Sequence, residues 1–211
     1  MNSKTRIKIC GLTQLTDALH VAALGGDAIG LVFHAQSPRA VDIATARKIR
    51  WAMPPFVTVT ALFMDEAEAW VSQVVEQVNP DCLQFHGVET QAFCAQWQKP
   101  YLKSIPMGST SDVHEFVSRY ADAQGFLLDS NVAGRQGGSG DTFDWSTIPS
   151  PINFPLILAG GLTPENVAQA IIQVKPWGVD VSSGVEKSRG KKDLALISQF
   201  FQEVKRADAN A

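Results

Sequence analysis

The sequence has 211 residues and a net charge of −3, and 45% of its residues are hydrophobic and 18% charged. This composition predicts a large buried core and excludes a disordered chain. The slightly negative charge excludes the basic field that attracts nucleic acid or an anionic membrane, so we expect neither as a partner. No apolar run approaches the roughly 20 residues that a membrane-spanning helix needs.

The amino-terminal residues 1–6 lack the apolar stretch of a signal peptide. The three cysteines, Cys10, Cys82 and Cys94, have no spacing typical of metal ligands. These observations favour a cytoplasmic protein with free thiols. We expect no metal ion and no organic cofactor.

Apolar segments typical of strands alternate along the chain with amphipathic segments typical of helices. In chain order, the predicted strands are Ile7–Ile9, Ala28–Phe33, Val57–Phe63, Cys82–His86, Tyr101–Ile105, Gly125–Asp129, Leu156–Ala159 and Val179–Val181. The predicted helices begin near Thr13, Asp42, Asp65, Thr90, Asp112 and Thr163, and a closing helix covers Leu194–Val204.

One segment departs from this alternation. Residues Ala133–Asp141 contain four glycines, which is too many for a regular element. We therefore expect a mobile loop here, followed by Phe143-Asp144-Trp145 and a short helix.

Eight repeated strand–helix units predict a parallel sheet, and eight is the number of strands that closes a (β/α)8 barrel. We expect one such α/β TIM barrel over residues 1–211, without a linker that divides the chain. An open, doubly wound sheet is the alternative, but no G-x-G-x-x-G sequence follows the first strand.

Several polar residues follow the predicted strands and would meet at one mouth of the barrel, because the carboxyl ends of parallel strands share one face. The set comprises Cys10, Arg39, His86, Asp129, Gly160-Gly161, Asp180 and Ser182-Ser183-Gly184. Cys10 and Asp129 offer a thiol and a carboxylate for acid–base chemistry. The structural alternative for Cys10 is a small buried apolar side chain. The structural alternative for Asp129 is a cap for the loop after the sixth strand.

The glycine-containing segments follow the last two strands, where barrels commonly bind phosphate. Glycine lets backbone N–H groups approach an anion closely, and a helix amino terminus favours negative charge. Tight turns are the alternative explanation of these glycines. The residues expected to bind phosphate are Gly160, Gly161, Ser182, Ser183 and Gly184.

Seven segments, in order from about residue 6 to residue 186, together resemble the phosphoribosylanthranilate isomerase family of tryptophan biosynthesis. They are Lys8-Ile9-Cys10-Gly11-Leu12, Ser37-Pro38-Arg39, Leu83-Gln84-Phe85-His86-Gly87, Leu128-Asp129-Ser130, Gly137-Gly138-Ser139-Gly140 with Phe143-Asp144-Trp145, Leu158-Ala159-Gly160-Gly161-Leu162 and Val179-Asp180-Val181-Ser182-Ser183-Gly184-Val185-Glu186. The departures from the family pattern are His34-Ala35 and Phe85.

The resemblance implies an Amadori rearrangement of N-(5-phosphoribosyl)anthranilate to 1-(2-carboxyphenylamino)-1-deoxyribulose 5-phosphate. It implies that Asp129 is the general acid for the furanose ring oxygen and that Cys10 is the general base for the C2 proton. Arg39 would hold the anthranilate carboxylate. His86 would orient substrate or simply be a hydrogen-bonded histidine, and Asp180 would contact a sugar hydroxyl or an arginine. The partner would be a small phosphosugar, and we expect a monomer rather than a dimer.

These roles reverse the usual protonation states. An ordinary carboxyl has a pKa of about 3.9 and a thiol about 8.5, so moving the proton from thiol to carboxylate costs roughly 6 kcal/mol in water. We expect burial and a substrate phosphate to favour the protonated acid, and dipoles such as the helix start after Thr13 to favour the thiolate.

Three other functions are compatible with such a barrel. The Amadori isomerase of histidine biosynthesis typically has an aspartate where this chain has Cys10. Indole-glycerol-phosphate synthase needs a catalytic lysine and acid that do not stand out here. A non-catalytic phosphosugar-binding barrel would not need both Cys10 and Asp129.

Overall fold

A computed structural model describes residues 4–110, 112–130 and 142–210. Eight parallel strands form a closed barrel in sequence order, and the last strand pairs with the first. The strands are β1 (Arg6–Cys10), β2 (Ala28–Val32), β3 (Thr58–Phe63), β4 (Cys82–Phe85), β5 (Tyr101–Pro106), β6 (Gly125–Asp129), β7 (Leu156–Leu158) and β8 (Gly178–Val181). The predicted (β/α)8 barrel is therefore confirmed, and the open sheet is excluded.

Helices connect the strands on the outside of the barrel. They are α1 (Leu15–Ala23), α2 (Ile43–Ala52), α3 (Glu68–Val78), α4 (Gln91–Ala95), α5 (Val113–Ser118), α6 (Val167–Val174) and α7 (Leu194–Ala209). Short 3-10 helices cover Trp145–Thr147 and Ser183–Val185. The predicted mobile loop at 133–141 lies outside the described residues, and the single domain over 1–211 stays a prediction.

Three predicted helix starts are confirmed in detail. The side chains of Asp42, Thr90 and Asp112 each accept a hydrogen bond from the backbone N–H three residues later. Such caps satisfy N–H groups that the helix itself leaves without a partner.

Two predicted starts are wrong because a tertiary partner takes the side chain. Helix α1 has Gln14 as its N-cap, and the Thr13 hydroxyl instead donates to the Gly190 carbonyl at 3.4 Å. Helix α3 begins only at Glu68, and the Asp65 carboxylate accepts from the Val88 N–H at 2.7 Å.

Thr163 begins a turn rather than the helix proper. Its hydroxyl accepts from the Glu165 N–H at 3.2 Å, and its carbonyl accepts from the Val167 N–H at 3.1 Å. Helix α6 begins at Val167.

The two-residue period of the strands separates two environments. Alternate side chains such as Ile7 and Ile9 belong to the large apolar core between strands and helices. The other side chains point into the barrel, where a small apolar cluster of Leu127, Ile157 and Ala159 is present. The barrel interior also contains buried polar side chains, namely Lys8, Thr60, Gln84, Ser104, Asp129 and Asp180.

A short antiparallel hairpin after β8 was not predicted. Its strands are β9 (Glu186–Ser188) and β10 (Lys191–Lys192), and its turn contains Gly190 at φ 80°. A Cβ at Gly190 would collide with the Pro38 carbonyl oxygen, so the turn lies directly on the loop that follows β2. The hairpin therefore supports the loop that carries Arg39.

Asp193→Ala should lower the free energy of unfolding by about 1 kcal/mol. The Asp193 carboxylate caps the 16-residue helix α7 by accepting from the N–H groups of Ala195 and Leu196. Urea unfolding at pH 7 measures the change. Asp193→Asn keeps an acceptor and is the control, and equal stability of the alanine variant and the wild type would contradict the assignment of this cap.

Candidate active site

The thiol of Cys10 and the carboxylate of Asp129 open into the same cavity at the carboxyl ends of the strands. Cys10 is the last residue of β1 and Asp129 the last residue of β6, and they are 5% and 9% exposed. The cavity is lined by Cys10, Val32, His34, Ser37, Pro38, Arg39, Leu62, Met64, Gln84, His86, Asp129, Asp180 and Ser182. The structure thus brings together the two groups that the sequence singled out for acid–base chemistry.

The Cys10 thiol is surrounded by opposing charges. Burial raises the pKa of Cys10 above its ordinary value, and Asp180 acts in the same direction, whereas Lys8 and Lys192 act against it. At neutral pH the free protein therefore holds a neutral thiol here, and two buried cations lie close enough to favour its thiolate.

Lys8 forms a buried ion pair with Asp180. The Nζ–Oδ1 distance is 3.0 Å, and the two side chains are 6% and 7% exposed. Burial alone would lower the pKa of Lys8, but Asp180 and Cys10 outweigh burial and raise it. Asp180 was expected to contact a sugar hydroxyl or an arginine, and its cationic partner is this lysine.

His86 connects Asp129 to the polar interior of the barrel. Its Nε2 lies 3.5 Å from the Asp129 carboxylate, and its Nδ1 lies 2.8 Å from the Ser104 hydroxyl and 3.4 Å from the Gln84 amide nitrogen. When Nε2 carries a proton it can face the carboxylate, and the Ser104 hydroxyl can then donate to Nδ1. The histidine is therefore placed to orient the proposed acid.

Arg39 is held by Glu186 in a two-point ion pair. Its Nε and Nη2 donate to the two carboxylate oxygens at 2.7 and 2.9 Å. Lys192 donates to the same carboxylate at 2.9 Å and to the Ser182 carbonyl at 2.8 Å. Gly11, at φ 74°, allows the close approach, since a Cβ there would lie 2.6 Å from Arg39 Cδ.

Four of the five residues expected to bind phosphate, Gly160, Gly161, Ser182 and Ser183, line a second, adjoining cavity. This cavity shares Asp129, Asp180 and Ser182 with the first, and its other lining residues are Ser130, Ala159, Gly160, Gly161, Leu162, Val181 and Ser183. Gly160 and Gly161 have φ values of 75° and 67°, a backbone conformation that glycine adopts without strain.

Gly184 does not line this cavity, but it joins the two glycine segments. A Cβ at Gly184 would overlap the carbonyl oxygen of Leu162, so the loops after β7 and β8 are in close contact. The Ser182 hydroxyl donates to the Cys10 carbonyl at 3.0 Å, which attaches the same loop to β1.

A larger cavity of about 530 Å³ opens at the amino ends of the strands. Its acidic side chains serve structural contacts, since Asp27 accepts from the Ile7 N–H and Asp81 accepts from the Val59 N–H. Its thiol, Cys82, has a pKa raised to about 12, chiefly by burial. Chemistry in such barrels takes place at the opposite face, where Cys10 and Asp129 lie.

Within the described residues, no group of His, Cys, Asp and Glu side chains could hold a metal ion. In the same part of the chain, no helix is long and apolar enough to span a membrane.

The fold and the cavity define a TIM barrel with a thiol–carboxylate site and an adjoining glycine-lined cavity at the carboxyl face of its strands. The family model for N-(5'-phosphoribosyl)anthranilate (PRA) isomerase matches residues 7–203. The chain therefore belongs to the PRA isomerase family.

Individual relatives agree with this assignment. The N-(5'-phosphoribosyl)anthranilate isomerase of Pseudomonas putida strain W619 is 49% identical over 205 residues, which cover 97% of this chain and 100% of that protein. The phosphoribosyl anthranilate isomerase structure from Thermotoga maritima has a TM-score of 0.85 at 38% identity and covers 96% of this chain and 99% of its own. A structure of such an isomerase with reduced 1-(o-carboxyphenylamino)-1-deoxyribulose 5-phosphate has a TM-score of 0.79 at 34% identity, with 96% and 99% coverage.

The structure adds residues to the site that the sequence did not single out. Lys8, Ser104, Glu186 and Lys192 all contact predicted site residues. A signal was present for Lys8, because it lies two positions before Cys10 on a strand and therefore on the same face. Glu186 and Lys192 depend on the unpredicted hairpin.

Glu186→Gln should destabilise the protein at pH 7, and the difference from the wild type should shrink as the pH falls below about 4.5. Burial alone would raise the pKa of Glu186, but hydrogen bonds from Arg39 and Lys192 hold it below its ordinary value. This contribution to stability is complete above the ordinary glutamate pKa and is lost as the pH falls through the lower folded-state pKa.

Urea unfolding between pH 3.5 and pH 7 measures this dependence. Glu115→Gln changes an exposed glutamate that is paired with Arg119, and it is the matched control. A constant stability difference between Glu186→Gln and the wild type at every pH would contradict the prediction.

Proposed function

We propose that this PRA isomerase uses Cys10 as general base and Asp129 as general acid to convert N-(5-phosphoribosyl)anthranilate into 1-(2-carboxyphenylamino)-1-deoxyribulose 5-phosphate in tryptophan biosynthesis. The observation that carries the proposal is the opening of both groups into one cavity, beside Arg39 and the glycine-lined cavity. A phosphosugar joined to an anthranilate needs these parts together.

In the first step, Asp129 gives its proton to the ring oxygen of the furanose. The C1–O bond breaks, the nitrogen lone pair forms a C=N bond, and the open chain is a protonated Schiff base. A carboxyl group at the wall of the cavity and only 9% exposed suits this transfer, because it is within reach of a bound ligand and largely shielded from bulk water. His86 is the group placed to keep the carboxyl oriented.

In the second step, the Cys10 thiolate takes the proton from C2. The C–H electron pair forms the C1–C2 double bond, and the C=N electrons return to nitrogen to give an enolamine. This intermediate tautomerises to the ketone. The step requires a thiolate, whereas burial favours the thiol in the free protein, so it depends on the cations around Cys10.

The two ends of the substrate would occupy different parts of the site. The phosphate would lie in the adjoining cavity against Gly160, Gly161, Ser182 and Ser183, and Gly184 would hold the loops after β7 and β8 together. The anthranilate carboxylate would face Arg39, whose guanidinium is fixed by Glu186. His86 and Asp180 would contact the ribose between them. The crystallised relative with a reduced product analogue supports a ligand of this shape in the same fold.

The site residues support the alternative phosphosugar functions less well. A second aspartate in the place of Cys10 would favour the histidine-pathway isomerase, but the residue at the end of β1 is a buried thiol. The cytoplasmic location and the absence of a cofactor belong to the proposal. The monomer is likewise a prediction, and Trp51 and Phe56, 82% and 100% exposed, are the surface residues to consider in testing it.

Cys10→Ala and Asp129→Asn should each lower kcat/KM by about 10²- to 10⁴-fold, because each removes one proton transfer. The assay uses freshly prepared phosphoribosylanthranilate and follows the loss of its fluorescence. Product affinity should remain close to that of the wild type. Cys82→Ala removes another buried barrel thiol and is the matched control. Wild-type turnover by the Cys10 variant would overturn the assignment of the base.

Arg39→Ala should act differently and raise KM more than it lowers kcat. It removes a ligand for the anthranilate carboxylate and no proton transfer. A product analogue lacking that carboxylate should bind the variant and the wild type equally well. A much larger loss of kcat than of affinity would instead place Arg39 in the chemical step.

The pH profile of kcat/KM should be bell-shaped between about pH 5 and pH 11, since one group must be protonated and the other deprotonated and burial raises the pKa of Cys10. Steady-state rates across this range measure the profile, and a solvent isotope effect establishes whether chemistry limits the rate. A flat profile with chemistry rate-limiting would contradict the mechanism.

A further inference from the structure

We propose that Lys8 is a positioning residue that stabilises the thiolate of Cys10 and that Asp180 sets the strength of this stabilisation as the counter-ion of Lys8. The inference deepens the proposed function and rests on Cys10 being the base. It concerns a buried lysine that exchanges no proton with the substrate in the steps described above.

The first observation is the position of the ammonium group. Lys8 precedes Cys10 by two residues on β1, so both side chains point into the barrel. A Cβ placed on Gly30 would lie 2.6 Å from Cys10 Sγ and 3.1 Å from Lys8 Nζ. The two atoms therefore border the same small space and are at most about 6 Å apart. At this range a positive charge favours the charged form of a thiol.

The second observation is that Lys8 is held as a cation. Its Nζ lies 3.0 Å from the Asp180 carboxylate, and neither side chain is more than 7% exposed. Asp180 and Cys10 raise the pKa of Lys8 in spite of burial. A lysine that keeps its proton cannot be the base that removes the C2 proton, but it can face the negative charge that forms on sulfur.

The third observation concerns the other charges near Cys10. Asp180 on β8 opposes the thiolate, and Lys192 on β10 favours it. Arg39 after β2, His86 after β4 and Asp129 on β6 line the same cavity. Arg39 and Lys192 are both hydrogen-bonded to Glu186, so the negative charge of Glu186 partly neutralises their positive charges. Lys8 is the cation closest to Cys10 along the strand, and its only acidic partner among the described residues is Asp180.

The test measures the rate of alkylation of Cys10 by iodoacetamide from about pH 7 to pH 11, because burial raises the pKa of this thiol above its ordinary value. Mass spectrometry identifies the modified residue. The thiolate is the reactive form, so the pH at which the alkylation rate reaches half of its maximum reports the pKa of the thiol. This pH is called the midpoint below. Cys82 and Cys94, each with a pKa raised to about 12, remain largely protonated in this range.

Lys8→Met should raise the midpoint by about one unit or more and slow alkylation at pH 7 by about tenfold. Asp180→Asn should change the midpoint in the opposite direction, since it leaves the ammonium unbalanced. A merely structural role predicts instead that both variants loosen the barrel and accelerate alkylation. The basic limb of turnover against pH should shift with the midpoint in Lys8→Met.

Lys103→Met is the matched control. Lys103 is also a fully buried barrel lysine with an acidic partner, Glu89, but it lies on the helix-facing side of β5. Its loss should leave the Cys10 midpoint unchanged. An unchanged midpoint in Lys8→Met would overturn the proposal.

Lys8→Met leaves a buried carboxylate without its partner and can prevent folding. In that case Lys8→Met is made in the Asp180→Asn background, which removes both charges. The midpoint of the double variant should lie above that of Asp180→Asn alone, and equal midpoints would overturn the proposal. The alkylation result does not depend on isomerase activity, so it separates this inference from the assignment of Cys10 as the base.

Discussion

The pairing of β1 with β8 is the contact on which the site depends. It closes the barrel, and its register places Lys8 directly opposite Asp180. The ion pair therefore lies across the seam where the ends of the barrel meet, and the hydrogen bond from Ser182 to the Cys10 carbonyl lies one layer above it. An error of one residue in this register would turn Asp180 toward the helices and leave Lys8 buried without a partner.

The hairpin after β8 fixes the position of Arg39 at the rim of the cavity. Glu186 and Lys192 lie on its two strands, and both contact residues at the rim of the cavity. The carboxylate of Glu186 takes two hydrogen bonds from Arg39, so the guanidinium has little rotational freedom before a ligand arrives. Preorganisation of this kind lowers the entropy lost on binding. The hairpin is short, but the orientation of Arg39 depends on it.

The sequence predicted the barrel because strand and helix patterns repeat with the period that the fold requires. It predicted which polar residues meet because parallel strands end at one face. It did not predict what those residues contact. Thr13 and Asp65 have the composition of helix caps, and only the folded chain brings Gly190 and Val88 to them. Glu186, the ion-pair partner of the Arg39 guanidinium, lies 147 residues away in sequence, and nothing local in the sequence indicates such a pairing.

The resting state of the thiol follows from these contacts. Cys10 is nearly inaccessible, and burial with Asp180 favours its neutral form more strongly than Lys8 and Lys192 favour the thiolate. A neutral, buried thiol reacts slowly with oxidants, since oxidation begins from the thiolate. The same cations nevertheless lie next to the sulfur, so the thiolate needs no rearrangement of the barrel to be stabilised when the proton leaves. In the proposed mechanism, the cations that favour the thiolate are already in place in the free protein, so forming the thiolate requires loss of the proton and no movement of the barrel.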